Sequence, residues 1–158
     1  MSRIFLFAAI GISLIVSCDY FTSDIYYTNK GAMDYKRIPL IKPYHVMRTD
    51  GDWSLKFKYE YMIDGNSFKV EKLNVLDSVI IIYHEPELKS NTDTLASWAF
   101  LVPGDSTEVR FNNIKEFKDS LSFYTAKPAS FIPVSTIWEK FEQTGFLEWF
   151  PIEYNKGK

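Results

Sequence analysis

Residues 53–61 read WSLKFKYEY, with large apolar or aromatic side chains alternating with polar ones at every step. Successive side chains of a β-strand point to opposite faces. Trp53, Leu55, Phe57, Tyr59 and Tyr61 therefore share one face, and Ser54, Lys56, Lys58 and Glu60 share the other. A strand buried on one side and wet on the other belongs to an antiparallel sheet lying on a core.

The flanks extend this pattern. Before it, residues 38–48 (IPLIKPYHVMR) read as one extended segment. Pro39 and Pro43 cannot donate to a ladder and push that segment to an edge. Asp50-Gly51 between the two predicts a tight type I′ hairpin, because both central residues of that turn need positive φ. On the other side, Asp64-Gly65-Asn66 marks a turn into FKVEKLNV (68–75), with Phe68 and Val70 on one face. Leu76-Asp77-Ser78 then turns the chain into VIIIY (79–83), an unbroken apolar run that predicts a strand covered on both faces. Residues 85–94 are a polar loop, WAFLV (98–102) is a second buried strand, and EVRF (108–111) is a short one.

After Phe111 the period changes. Asn113, with Glu116 three residues on, has the form of a helix start, and Ile114, Phe117 and Leu121 line one face of a helix over 114–123. Pro128 and Pro133 bracket a loop. Ser135 is the expected cap of a second helix over 136–144, with Ile137, Trp138 and Phe141 inward and Gly145 as its stop. The closing FLEWFPIEY reads as a last strand or a hook onto the core. Five or six strands followed by two short helices predict an α+β fold, mainly one antiparallel sheet. The 158 residues, 46% hydrophobic and 17% aromatic, suffice for one domain with a real core. Trp53, Trp98 and Trp138 fall at inward positions.

The opening MSRIFLFAAIGISLIVSC has a different character. One positive charge, Arg3, precedes a mainly apolar stretch of thirteen residues, Ile4 to Val16. A membrane-spanning helix needs about 20 apolar residues, so the run suits the h-region of a signal peptide. It ends in Leu14-Ile15-Val16-Ser17-Cys18: a branched aliphatic residue, a tolerant position, a small residue, then the only cysteine of the chain. This resembles the lipobox of bacterial lipoproteins. The resemblance implies that the Cys18 thiol takes a diacylglycerol, that small Ser17 admits the peptidase, and that cleavage falls between Ser17 and Cys18. Residues 1–17 are then the signal peptide, 18–37 a lipidated N-terminal segment, and 38–158 the single α+β domain. Residues 19–37 carry Tyr20, Phe21, Ile25, Tyr26, Tyr27 and Tyr35, so this segment is expected to pack partly on the domain or to rest in the membrane interface.

Motifs for chemistry are sparse. His45 and His84 lie on different strands without metal-ligand spacing and read as polar strand-end residues, so no metal and no cofactor is expected. A lone cysteine leaves no disulfide framework. Glu85 and Glu87 read as solvated surface. Net charge is −2 with both signs interspersed, which argues against nucleic acid as a partner. One pattern recurs: Asp77-Ser78-Val79, Asp93-Thr94-Leu95, Asp105-Ser106-Thr107 and Asp119-Ser120-Leu121. It resembles an O-glycosylation sequon used on exported proteins by one large bacterial group, which makes Ser78, Thr94, Ser106 and Ser120 candidate acceptors. Asp-Ser and Asp-Thr are also common turn formers. Trp149, near the end, is a candidate partner or ligand contact if it is not core.

The expected protein is thus an envelope lipoprotein held to a membrane by lipid on Cys18, the outer membrane ahead of the inner, facing the periplasm or the exterior. Its domain is expected to be non-enzymatic and to bind an envelope or secreted protein, as an immunity-type protein or an accessory subunit. A carbohydrate- or small-ligand-binding lipoprotein is the alternative, and a hydrolase the third class.

Overall fold

The computed structural model describes residues 24–58, 67–85 and 97–155. The fold is α+β, and its strands form two antiparallel five-stranded sheets where one was expected. The first sheet is a meander of β1 (Gly31–Ala32), β2 (Tyr35–Pro39), β3 (His45–Arg48), β4 (Trp53–Lys56) and β5 (Ser67–Lys69). The second runs β10 (Ile132–Pro133), β6 (Lys72–Leu76), β7 (Val79–Tyr83), β8 (Trp98–Val102) and β9 (Thr107–Phe111).

Alternation explains why the sheets stack. In the first sheet Ile38, Val46, Leu55 and Phe68 point inward, and in the second Leu73, Ile80, Ile82, Ala99 and Leu101 meet them across one core. Val79, Ile81, Phe100 and Val102 point the other way, onto Phe117 and Leu121 of α2 (Ile114–Leu121). VIIIY is therefore covered on both faces, as its composition predicts. Each fully buried aliphatic side chain there contributes about 1.5–3 kcal/mol. The helix α3 (Val134–Thr144) closes the side of the main core with Ile137, Trp138 and Phe141.

Several local readings are corrected. The segment 38–48 is two strands, because Pro43 cannot continue a ladder and sits in the loop 40–44, where Leu40 N–H donates to Tyr44 O at 3.0 Å. The hairpin after it pairs Arg48 with Trp53, so its loop is four residues long, and of these only Gly51 has positive φ. A type I′ turn at Asp50-Gly51 is absent. The strand 68–75 divides at Val70–Glu71 as it passes from one sheet to the other. In α2, Asn113 caps as expected, its Oδ1 accepting from Lys115 N at 2.8 Å, but the helix ends at Leu121 and Ile114 stays partly exposed. Ser135 is not a cap: α3 starts at Val134, whose N–H donates to Glu71 O at 3.0 Å, so the pairing of β10 with β6 sets its start. Gly145 ends α3 at φ 67°, with its N–H on Phe141 O at 2.8 Å.

Residues 24–37, expected ahead of the domain, build α1 (Ile25–Thr28), β1 and the start of β2. Gly31 is at φ 108° in the tight β1–β2 hairpin, where a Cβ would lie 2.3 Å from Tyr35 O. The tail is a hook, not a strand. Phe150 and Tyr154 pack on Tyr27 at ring centroid distances of 5.0 and 5.1 Å, and the Tyr154 hydroxyl donates to Asp24 O at 3.2 Å.

Candidate functional site: a basic cleft on the first sheet

The outward face of β3 and β4 carries His45, Met47, Ser54 and Lys56, the alternate residues to the buried Val46 and Leu55. At the end of this hairpin the chain bends past Pro43, Tyr44, Phe57 and Lys58. Together these residues enclose an open cleft of about 500 Å³. Its body is apolar, from Met47, Phe57 and the Tyr44 ring. Its polar groups are His45, Ser54, Lys56 and Lys58, and among the described residues that line it there is no carboxylate.

The second sheet holds the cleft's inner wall. Glu108 on β9 accepts from the Tyr44 hydroxyl at 2.6 Å and from Lys58 N–H at 2.7 Å. Two residues on, the Arg110 guanidinium lies 4.3 Å from the Phe57 ring centroid and 5.3 Å from that of Phe68. His84, the buried strand-end histidine, stands edge-on to Phe68, with its Nδ1 3.8 Å from Glu71 Oε1. These groups knit the edge of the second sheet to the end of the first.

His45 is half-buried in the cleft, and among the described residues its Nδ1 has no hydrogen-bond partner. Burial holds its pKa below the usual 6.5. The Arg37 charge acts the same way, and the Pro43 carbonyl opposes them. The neutral ring is thus favoured in the fold. The unfolded chain binds the proton first as pH falls, so stability declines from about pH 6.5 toward the depressed folded pKa and levels off below it. His45→Gln is expected to remove that part of the acid sensitivity. Denaturant midpoints at pH 7.5 and pH 5 compare the two; an equal loss in both would show that His45 is not the group responsible.

The other sequence-derived candidates are scattered. Ser17, Cys18 and Thr94 lie outside the described residues, as does Glu87. Ser78 and Ser106 are exposed in the β6–β7 and β8–β9 turns, which the meander places at the same end of the second sheet. Asp77 and Ser106 both have positive φ, at 57° and 53°. The Asp77 carboxylate is tied to Lys127 Nζ at 2.7 Å and to the Thr125 hydroxyl at 2.9 Å, which hold its pKa below the usual value. Ser120 is half-buried within α2. Trp149 does not line the cleft. Its indole N–H donates to Pro39 O at 3.1 Å and its ring packs, partly buried, on the main core, the first of the two readings its sequence position allowed. Among the described residues no group of three or more His, Cys, Asp or Glu could hold a metal, and no helix is long and apolar enough to cross a membrane.

Comparison of the chain with protein-family models, with curated proteins and with solved structures gives no match. Sequence reading missed the cleft itself. Tyr44 and Glu108 are 64 residues apart and carry no shared motif. The one usable signal was the wet face Ser54, Lys56, Lys58, whose cations have no acidic residues interleaved until Glu60.

Proposed function

We propose that this chain is an envelope lipoprotein, anchored through Cys18, whose domain acts without catalysis by binding a protein partner at the cleft on its first sheet. The observation that carries this is the cleft, an apolar hollow rimmed by His45, Lys56 and Lys58. Binding energy at interfaces concentrates where an aromatic or aliphatic anchor fills such a hollow and water is excluded around it. A basic rim selects an acidic surrounding surface and speeds its approach. The lipobox-like residues 14–18 support the anchor. An immunity-type protein or an accessory subunit of an envelope complex is the concrete form.

A second reading rests on the size of the cleft. A volume of about 500 Å³ falls within the range of small-molecule sites, and the Tyr44 and Phe57 rings offer walls for a small ligand or a sugar.

One experiment separates the two. A photo-crosslinking residue replaces Met47 in the tagged, lipidated protein, and the native envelope is irradiated. The protein reading expects one dominant protein adduct, weakened at least about tenfold by Lys56→Glu, which sets a carboxylate against an acidic partner. A small bound mass in native mass spectrometry, with no protein adduct, favours the second reading. Absence of both removes the cleft as the working surface.

A further inference from the structure

We propose that the end of the domain built from α1 and the C-terminal hook lies directly on the bilayer, with Ile25 and Ile152 at the boundary between headgroups and acyl chains. This rests on the proposed lipidation of Cys18.

The first observation is reach. Asp24 begins the folded chain and caps α1, its carboxylate accepting from Tyr26 N–H at 3.0 Å. Six Cα steps separate it from Cys18 in the sequence. Fully extended, six steps span at most about 20 Å. A domain of this size has a radius of gyration of about 14 Å, and so a width of roughly 35 Å. The leash is shorter than the domain is wide, so the side carrying Asp24 is the side the membrane meets.

The second observation is what that side displays. Ile25 in α1 is 77% exposed, and Ile152 in the 3-10 turn Ile152–Asn155 is 75% exposed. The Tyr154–Asp24 hydrogen bond and the Tyr27–Tyr154 ring contact hold those two elements together. Elsewhere on them the aromatic rings face inward: Tyr27 and Phe150 are buried in the core. Large aliphatics left outside on a well-packed aromatic end suit a solvent that is itself apolar.

A third observation makes the end rigid. The Arg37 guanidinium donates to the Tyr26 and Asn29 carbonyls at 2.6 and 3.1 Å, and Lys42 pairs with the Asp24 carboxylate. The point where the leash enters is thus fixed to the first sheet.

The test uses the full lipidated chain in vesicles of phosphatidylethanolamine and phosphatidylglycerol, with and without brominated acyl chains. Cys18 is the only cysteine, so a lipidated protein with one introduced thiol takes a single fluorophore. Labels go on Ile25→Cys, Ile152→Cys and, as reference, Glu116→Cys on α2, which lies across the second sheet from the main core. Expected are blue-shifted emission and about twofold quenching by the brominated lipid at 25 and 152, with none at 116. In Ile25→Asp/Ile152→Asp, a label on Glu153→Cys should lose most of its quenching.

Intact mass is read on every sample. Full lipidation with equal or absent quenching at the three sites overturns the apposition alone. A mass without lipid overturns the anchor, and the apposition with it. Labels at 25 and 152 that are shielded from aqueous quencher yet untouched by brominated lipid would mean a protein covers this end, and would also overturn it.

Discussion

Phe100→Ala is expected to lower the stability of the domain by about 3–5 kcal/mol, a large part of the 5–15 kcal/mol that an ordinary domain possesses. Phe100 is 1% exposed on the face of β8 that looks toward α2. Its ring lies 5.2 Å from Tyr124, 5.5 Å from Phe111 and 6.3 Å from Phe117, centroid to centroid. Truncation removes the piece that joins the helix, the edge strand and the sheet, and rigid aromatic neighbours collapse poorly into the space. Phe123→Ala is the control, because that ring is 86% exposed and its loss should change stability by no more than about 0.5 kcal/mol. Urea midpoints for the two variants decide the matter: similar values would mean that α2 is not held by this cluster.

The second large effect belongs to a charged residue. Arg37 is 7% exposed, donates to two carbonyls of the α1 segment, and lies with its guanidinium 4.5 Å from the centroid of the Tyr26 ring. Burial pulls its pKa below the ordinary value, but an arginine stays charged at any working pH. Arg37→Ala strips both carbonyls of their donor and removes the stack, an expected loss of about 2–4 kcal/mol. Arg37→Lys should rescue little of it, since a point charge cannot make both bonds and lie flat on the ring. The sharper readout is local. Limited proteolysis should cut the variant within residues 24–30 well before the sheets open. Protection equal to that of the parent chain would show that α1 is held by its aromatic contacts alone.

The elements legible in the sequence share one property: their pattern is carried by neighbours in the chain. Alternation in WSLKFK, the apolar run VIIIY, the Asn113 cap and the Gly145 stop each follow from local sterics or hydrogen bonding, and each stands where it was expected. What was not legible depends on residues far apart. A division into two sheets cannot be read from FKVEKLNV, because the bend at Val70–Glu71 is set by which carbonyls are within reach on Trp53 and Tyr83. The strand β10 contains a proline and two residues in all, too little for any period. The start of α3 follows from that pairing and not from Ser135. At the cleft, Lys56 was readable as wet and His45 as a strand end. That they enclose a hollow backed by Glu108 is a product of topology. Trp149 could be read as core or as a platform because one aromatic near a terminus has no partner in the local sequence; the carbonyl its indole N–H reaches, on Pro39, is 110 residues away.

The corner between β5 and β6 ties the fate of the two sheets together. Val70 N–H donates to Trp53 O in the first sheet at 2.8 Å, and the next amide, Glu71 N–H, donates to Tyr83 O in the second at 3.0 Å. Adjacent peptide units thus answer to different sheets. Neither sheet can open past this point without pulling on a bond that belongs to its neighbour. The domain should behave as one cooperative unit, with frayed turns and termini around it but no half-folded state in which a single sheet survives. If the chain is exported and anchored as proposed, it would assemble beside a membrane and gain from this, since a lone sheet would offer open edges to every other unfinished chain.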